Sequence, residues 1–313
     1  MKCISRVAAG LALACRLLAA PDPTPWIYAP RPVAVPSEAG YVGADGTIAV
    51  VGYNDMEEML QALNTRFTAG HPGFKFALAL KGTRTAPPAL AKGVSAFAPM
   101  GAEFSPHELA DYRAATGGEP RLFRVAHCSL NPKALSGPLA IIVHQDNPLT
   151  SLTLAEVADI FSGRNSRGLH PCGLAPGTAL ALFLRRQALG GKDFVPGFKG
   201  FPQSREVVGE VARDPQAIGF TAAMRVMPGV KVLALSRAAG SAPVELNEGS
   251  IRAGAYPLDR FLLIYARGPL EPWIREYLRF VLSQEGQEVI ARGTLGYLPL
   301  NAVELVAERT KLD

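Results

Sequence analysis

From Thr47 onward, short apolar runs alternate with stretches of helical spacing, and this alternation limits the fold more than any other feature of the chain. Thr47–Val51 (TIAVV) reads as a strand. Asn54 opens a helix in which Glu57 would complete a capping box, with Met56, Met59, Leu60 and Leu63 on the buried face. Residues 74–80 form a second strand, 86–92 a helix with prolines in its first turn, and 94–98 a short strand. Ser105 begins the next helix, and Glu108 closes its capping box. Residues 139–143 are a strand and 153–161 a helix capped by Thr153 and Glu156. Helices follow at 179–188 and Ser204–Arg213, with strands at 217–221 and 230–235. Residues 255–267 (AYPLDRFLLIYAR) alternate and then run apolar, as a strand buried on both faces does. Residues 273–300 carry Ile274, Leu278, Val281 and Leu282 at helical spacing and stop at Gly293 and Gly296. Strands joined by helices predict parallel sheets with helices on both faces.

The 313 residues, 48% of them hydrophobic, supply core enough for one large domain or two lobes. A net charge of +5 fits an acidic ligand without requiring one, and the absence of a basic run argues against nucleic acid. After the first twenty residues no apolar run is long enough to span a membrane. Residues 1–20 read as an export signal: Lys2 and Arg6 precede the apolar run 7–14, and Ala12-Leu13-Ala14 lies before Cys15. Cleavage there would leave Cys15 first and open to a lipid anchor; soluble export is the alternative. Residues 21–45 are rich in Pro, Gly and Ala and read as an extended tether. Export permits a Cys128–Cys172 disulfide, and two buried thiols fit equally well. The histidines are scattered without metal-ligand spacing, so neither metal nor cofactor is expected. No nucleophile elbow or pair of catalytic carboxylates stands out, so an enzyme such as a secreted hydrolase has no positive support.

Several segments occur together in a known order. Tyr256-Pro257-Leu258 opens a strand, a helix reading Phe-Val-Leu-Ser-x-Glu-Gly-Gln follows, and Gly-Tyr-x-Pro-Leu closes the run. Upstream lie the strand and turn of 139–147 (LAIIVHQDN), the helix ending Ile-Phe-Ser-Gly, and 214–220 (DPQAIGF). In this order, over about residues 46–300, the chain resembles the periplasmic phosphate-binding proteins, the solute-binding subunits of phosphate ABC importers. The resemblance implies an α/β, two-lobe fold of the type II periplasmic-binding-protein class with two crossing hinge strands, near 138–144 and 258–266. Lobe I would take 46–137 and 259–313, and lobe II 138–258. It also implies a periplasmic or exported monomer, a small anion such as phosphate as ligand, and an ABC importer permease as partner.

The family's ligand loops map onto three strand-to-helix loops, where amides and the helix dipole favour anions. The first keeps Gly52 but has Tyr53 and Asn54 where the family has hydroxyl residues. The second keeps Gly82, Thr83 and Thr85 and adds Arg84. The third keeps Gly177 and Thr178, with Leu174 in place of an arginine. Ala96 stands where the family has a proton-accepting Asp. Ser204, at a helix start, is either a cap or a further cleft residue. Arg84 either replaces the lost guanidinium from the opposite lobe or is a solvated loop residue. Without the Asp and the bidentate Arg, phosphate selectivity is expected to be weakened. The competing reading is a sensory or protein-interaction module on the same scaffold with a degenerate site.

Overall fold

Two hydrophobic cores form, and the chain passes between them twice. The computed structural model describes residues 26–313; the export signal, Cys15 and the start of the tether lie outside them. The first core collects side chains from Tyr41 to Ala134 and from Leu262 to Leu312. The second runs from Leu139 to Leu258. The two passages lie side by side: the Leu139 amide donates to the Leu258 carbonyl at 3.0 Å, and the Cys128 amide to the Arg260 carbonyl at 2.8 Å. The result is a two-lobe α/β architecture with paired crossings.

In the first lobe Thr47–Val51 pairs in parallel with Lys75–Ala79. Phe261–Ala266 lies between Ala98–Met100 and Arg121–His127 and is antiparallel to both. In the second lobe the strand order is Val230–Val232, Leu139–His144, Ala217–Ala222, His170–Leu174, Lys199–Phe201. Only the last three pair in parallel. The expectation of parallel sheets is therefore corrected. Leu139–His144 and Phe261–Ala266 enter from the other lobe, so no crossover helix within the sheet forces them parallel to their neighbours.

Local chemistry explains the other differences. Asn54 caps nothing: Asn54–Met56 is a 3-10 turn with no side-chain cap, and the α-helix is Glu57–Gly70. The strand expected at 94–98 begins at Ala98, after Gly93 turns the chain at φ 70° and the Ser95 hydroxyl bonds locally. The run 230–235 divides, because Val230–Val232 pairs with Leu139–His144 while Ala234–Ser236 pairs with Ser151–Thr153. The C-terminal helix breaks into Pro272–Val281 and Gln284–Ala291, since Ser283 accepts from the Gly286 amide and caps a new helix. Ser204 is not a cap; Gln203 holds that position and bonds no amide through its side chain.

The described part of the tether, from Trp26 on, is docked on the body. Trp26 sits between two guanidiniums, 5.2 Å from Arg279 and 4.9 Å from Arg309, and the Gln284 amide donates to its carbonyl at 3.0 Å. The Tyr28 ring meets Phe280 edge-on at 5.2 Å. Cys128 and Cys172 are buried free thiols in different cores, and burial pushes both up to about 12.

Candidate functional site

Between the lobes lies a cavity of about 650 Å³. Of the residues singled out in the sequence, Tyr53, Thr83, Arg84 and Gly177 line it, and Ala179 and Leu180 join them from the second lobe. Gly52, Asn54, Gly82, Thr85, Thr178 and Ser204 are not among its lining residues.

The framework around these loops is fixed by hydrogen bonds. The Gly82 amide donates to the Gly52 carbonyl at 2.9 Å, and the Thr85 hydroxyl donates to the Gly82 carbonyl at 2.7 Å. Thr85 therefore spends its hydroxyl within its own loop. Thr178 does the same: its hydroxyl donates to the Ala175 carbonyl at 2.8 Å and accepts from the Ala181 amide, capping Ala179–Gln187. Asn54 points to solvent. Its neighbour Asp55 turns inward, where its carboxylate accepts from the Leu135 amide at 2.8 Å and from the Tyr297 hydroxyl. Burial raises that carboxyl. The first loop is thus tied to the crossing segment through Asp55, a role no capping pattern signals.

Tyr53 is buried, and its hydroxyl lies 2.9 Å from the Ser136 hydroxyl. Its ring lies against Gly101, where any Cβ would meet the ring, so Gly101 has no room for a side chain. Burial raises the Tyr53 phenol, which stays neutral and can donate only one proton. Ala96 is 2% exposed in the first core and Leu174 6% exposed in the second, and neither lines the cavity.

The donors that reach the cavity are few. Arg84 is exposed and forms no ion pair among the described residues. The helix after it, Ala86–Ala91, has prolines at 87 and 88, which have no N–H to offer an anion. On the other lobe the first turn of Ala179–Gln187 leaves its amides without intrahelical acceptors. Carboxylates of Glu103, Glu108 and Asp111 face the same cavity. Glu108 accepts from the Ser105 amide at 2.7 Å, and Asp111 pairs with His107 at 2.9 Å.

Sequence reading missed Arg260. It is 5% exposed, yet it lines this cavity and the neighbouring one. Its guanidinium donates to the Gly137 carbonyl at 3.1 Å and the Gly101 carbonyl at 2.8 Å, and lies 5.6 Å from the Phe183 ring of the second lobe. The signal was present: a cation inside an otherwise apolar strand run, next to Asp259.

Comparison with known proteins bears on the family and the fold. A model of the PBP superfamily domain matches residues 39–285. The chain is 30% identical over 327 residues to the phosphate-binding protein PstS of Pseudomonas aeruginosa, covering 96% of this chain and 94% of that protein. Among solved structures, an ABC-type phosphate transport receptor from Vibrio cholerae aligns with a TM-score of 0.53 and 20% identity, covering 80% of this chain and 99% of that one. PstS from Borrelia burgdorferi aligns at 0.53 with 13% identity, covering 82% and 99%. These two structures are similar in fold. The family match, the full-length relative and the two lobes with paired crossings agree, and the chain is a divergent member of the periplasmic phosphate-binding protein family.

Proposed function

We propose that the chain is the solute-binding subunit of an ABC importer, binding phosphate or another small oxyanion between its lobes. The observation that carries this reading is convergence: Thr83 and Arg84 from one lobe face Gly177 and the start of Ala179–Gln187 from the other across one cavity. A guanidinium opposite free helix-terminal amides attracts and orients an oxyanion. Tyr53 closes the wall, while Gly52, Gly82, Thr85 and Thr178 hold the loops in place. Family membership supports a periplasmic monomer that hands its ligand to a permease and performs no chemistry. No helix of the described residues is long and apolar enough to cross a membrane.

The second reading is a sensory or interaction module with a degenerate site. It is favoured by Glu108 and Asp111 in the cavity wall and by Pro87-Pro88 at the helix start. Calorimetry of the purified protein against phosphate, sulfate and small carboxylates separates the two. Saturable binding that Arg84→Ala abolishes supports the first. No heat with any of them supports the second.

A further inference from the structure

Adjoining the first cavity in the same cleft, and sharing Gly101, Glu103, Ala179, Leu182 and Arg260 among its walls, lies a second chamber of about 700 Å³ between the lobes. Guanidiniums of Arg124, Arg185, Arg186, Arg237 and Arg260 face it. Three carboxylates face it too, and two cations, Arg186 and His127, stand against them. Glu103 lies 2.9 Å from Arg186. Asp259 and Glu304 bracket the buried His127, at 2.5 Å from Nδ1 and 2.9 Å from Nε2. Arg185 pairs outward with Asp193 at 2.7 Å. Arg124 is 3.8 Å from Glu308, too far for a hydrogen bond.

Two guanidiniums remain without a carboxylate among the described residues. Arg237 donates to the Gly254 carbonyl at 3.1 Å, and Arg260 has only its two carbonyls. The Arg260 guanidinium is 5% exposed, lines both cavities and is held by neutral carbonyls, so it has no carboxylate of its own. An arriving anion would find there the planar donors that arginine offers to phosphate and carboxylate groups.

Four aromatic rings also line the chamber, beside polar residues such as Ser105 and Gln187. Phe183 lies between Arg186 at 6.0 Å and Arg260 at 5.6 Å, Phe261 lies under Arg124 at 4.7 Å, and Phe104 and Tyr256 are the other two. A bare oxyanion would not use these rings, whereas an aromatic body would stack against them.

We propose that this second chamber binds a doubly charged organic anion with an aromatic body, its charged groups on Arg237 and Arg260 and its ring against Phe183 and Phe261. This site goes beyond the oxyanion site of Thr83 and Arg84 and does not depend on it.

The test titrates the purified protein with phenyl phosphate and with phthalate, each compared with inorganic phosphate. The two organic probes distinguish an ester from a dicarboxylate. At least one is expected to bind more tightly than inorganic phosphate, and Arg237→Gln should weaken that binding by roughly tenfold or more, the loss of one charged contact. Arg84→Ala should abolish the inorganic oxyanion only. Should Arg237→Gln fail to fold by circular dichroism, Arg237→Lys, which keeps the charge but loses the planar donors, carries the test. Organic probes that bind no better than inorganic phosphate, or that are indifferent to the folded variant, overturn the proposal. A loss of organic binding in Arg84→Ala would place both ligands in the first cavity and overturn it too.

Discussion

The Arg186 guanidinium of the second lobe lies 2.9 Å from the Glu103 carboxylate of the first, and this ion pair bridges the space between the lobes. Both side chains are partly exposed, 42% and 33%, so water and salt screen them. Such a pair contributes about 0.2–1 kcal/mol. That is enough to bias lobe closure up to about fivefold without fixing it. Glu103→Gln should enlarge the unliganded protein in small-angle scattering at low salt, and the difference should fade at high salt. Identical scattering curves at low salt would show that closure does not use this pair.

His127 gives the fold a pH dependence. Burial alone would lower its imidazolium, but the Asp259 and Glu304 carboxylates outweigh burial and push it up to about 9. The folded value is raised above the ordinary one near 6.5, so the stabilisation is fully present below about 6.5. It is lost as pH rises through about 9. The unfolding free energy from urea titrations should fall between pH 7 and pH 10, by an amount on the order of a few kcal/mol. His127→Gln should flatten that slope. An unchanged slope in the variant would assign the effect to other groups.

Restoring the family's carboxylate should harm this chain. Ala96 is 2% exposed in the first core, so Ala96→Asp would bury an acid with no cation placed for it. A loss of about 1–3 kcal/mol or more is expected in urea unfolding. Phosphate should not restore the midpoint. Recovery in millimolar phosphate would show that position 96 faces the ligand after all.

Trp26 should clip the N-terminal segment to the body. Two cation–π contacts, one to the buried Arg279 and one to the half-buried Arg309, are worth about 0.5–2 kcal/mol each. Trp26→Ala should speed hydrogen exchange at the Gln284 amide, which donates to the Trp26 carbonyl, and expose residues 26–35 to protease. Protection equal to the parent's would mean that the Tyr28 ring and the Arg31 amide, which donates to the Glu276 carboxylate at 3.0 Å, suffice.

The helices and strands were legible because their signals are local, whereas the two lobes came with the family resemblance. The capping boxes of Ser105–Glu108 and Thr153–Glu156 form as their spacing requires, and the strands at 47–51, 139–144 and 217–222 follow from short apolar runs. Asn54 shows where local reading ends. Its pattern with Glu57 satisfies the capping rule, yet the adjacent Asp55 is drawn inward by Leu135 and Tyr297, which are distant in sequence. The site was half legible for the same reason. Thr83, Arg84 and Gly177 could be placed by loop position. The internal use of the Thr85 and Thr178 hydroxyls depends on carbonyl directions that composition does not encode. Arg260 was hidden inside an apolar run, where its partners are backbone carbonyls of residues 101 and 137.

Arg260 is a wall shared by two rooms. Its guanidinium is held to the first lobe by two carbonyls and meets the second lobe at Phe183. Rotation of one lobe against the other moves Phe183 relative to that guanidinium, and so reshapes both cavities at once. An occupant of either therefore changes the free energy of filling the other. Thermodynamic reciprocity fixes the balance: whatever factor the first ligand gains or loses from the second, the second gains or loses from the first.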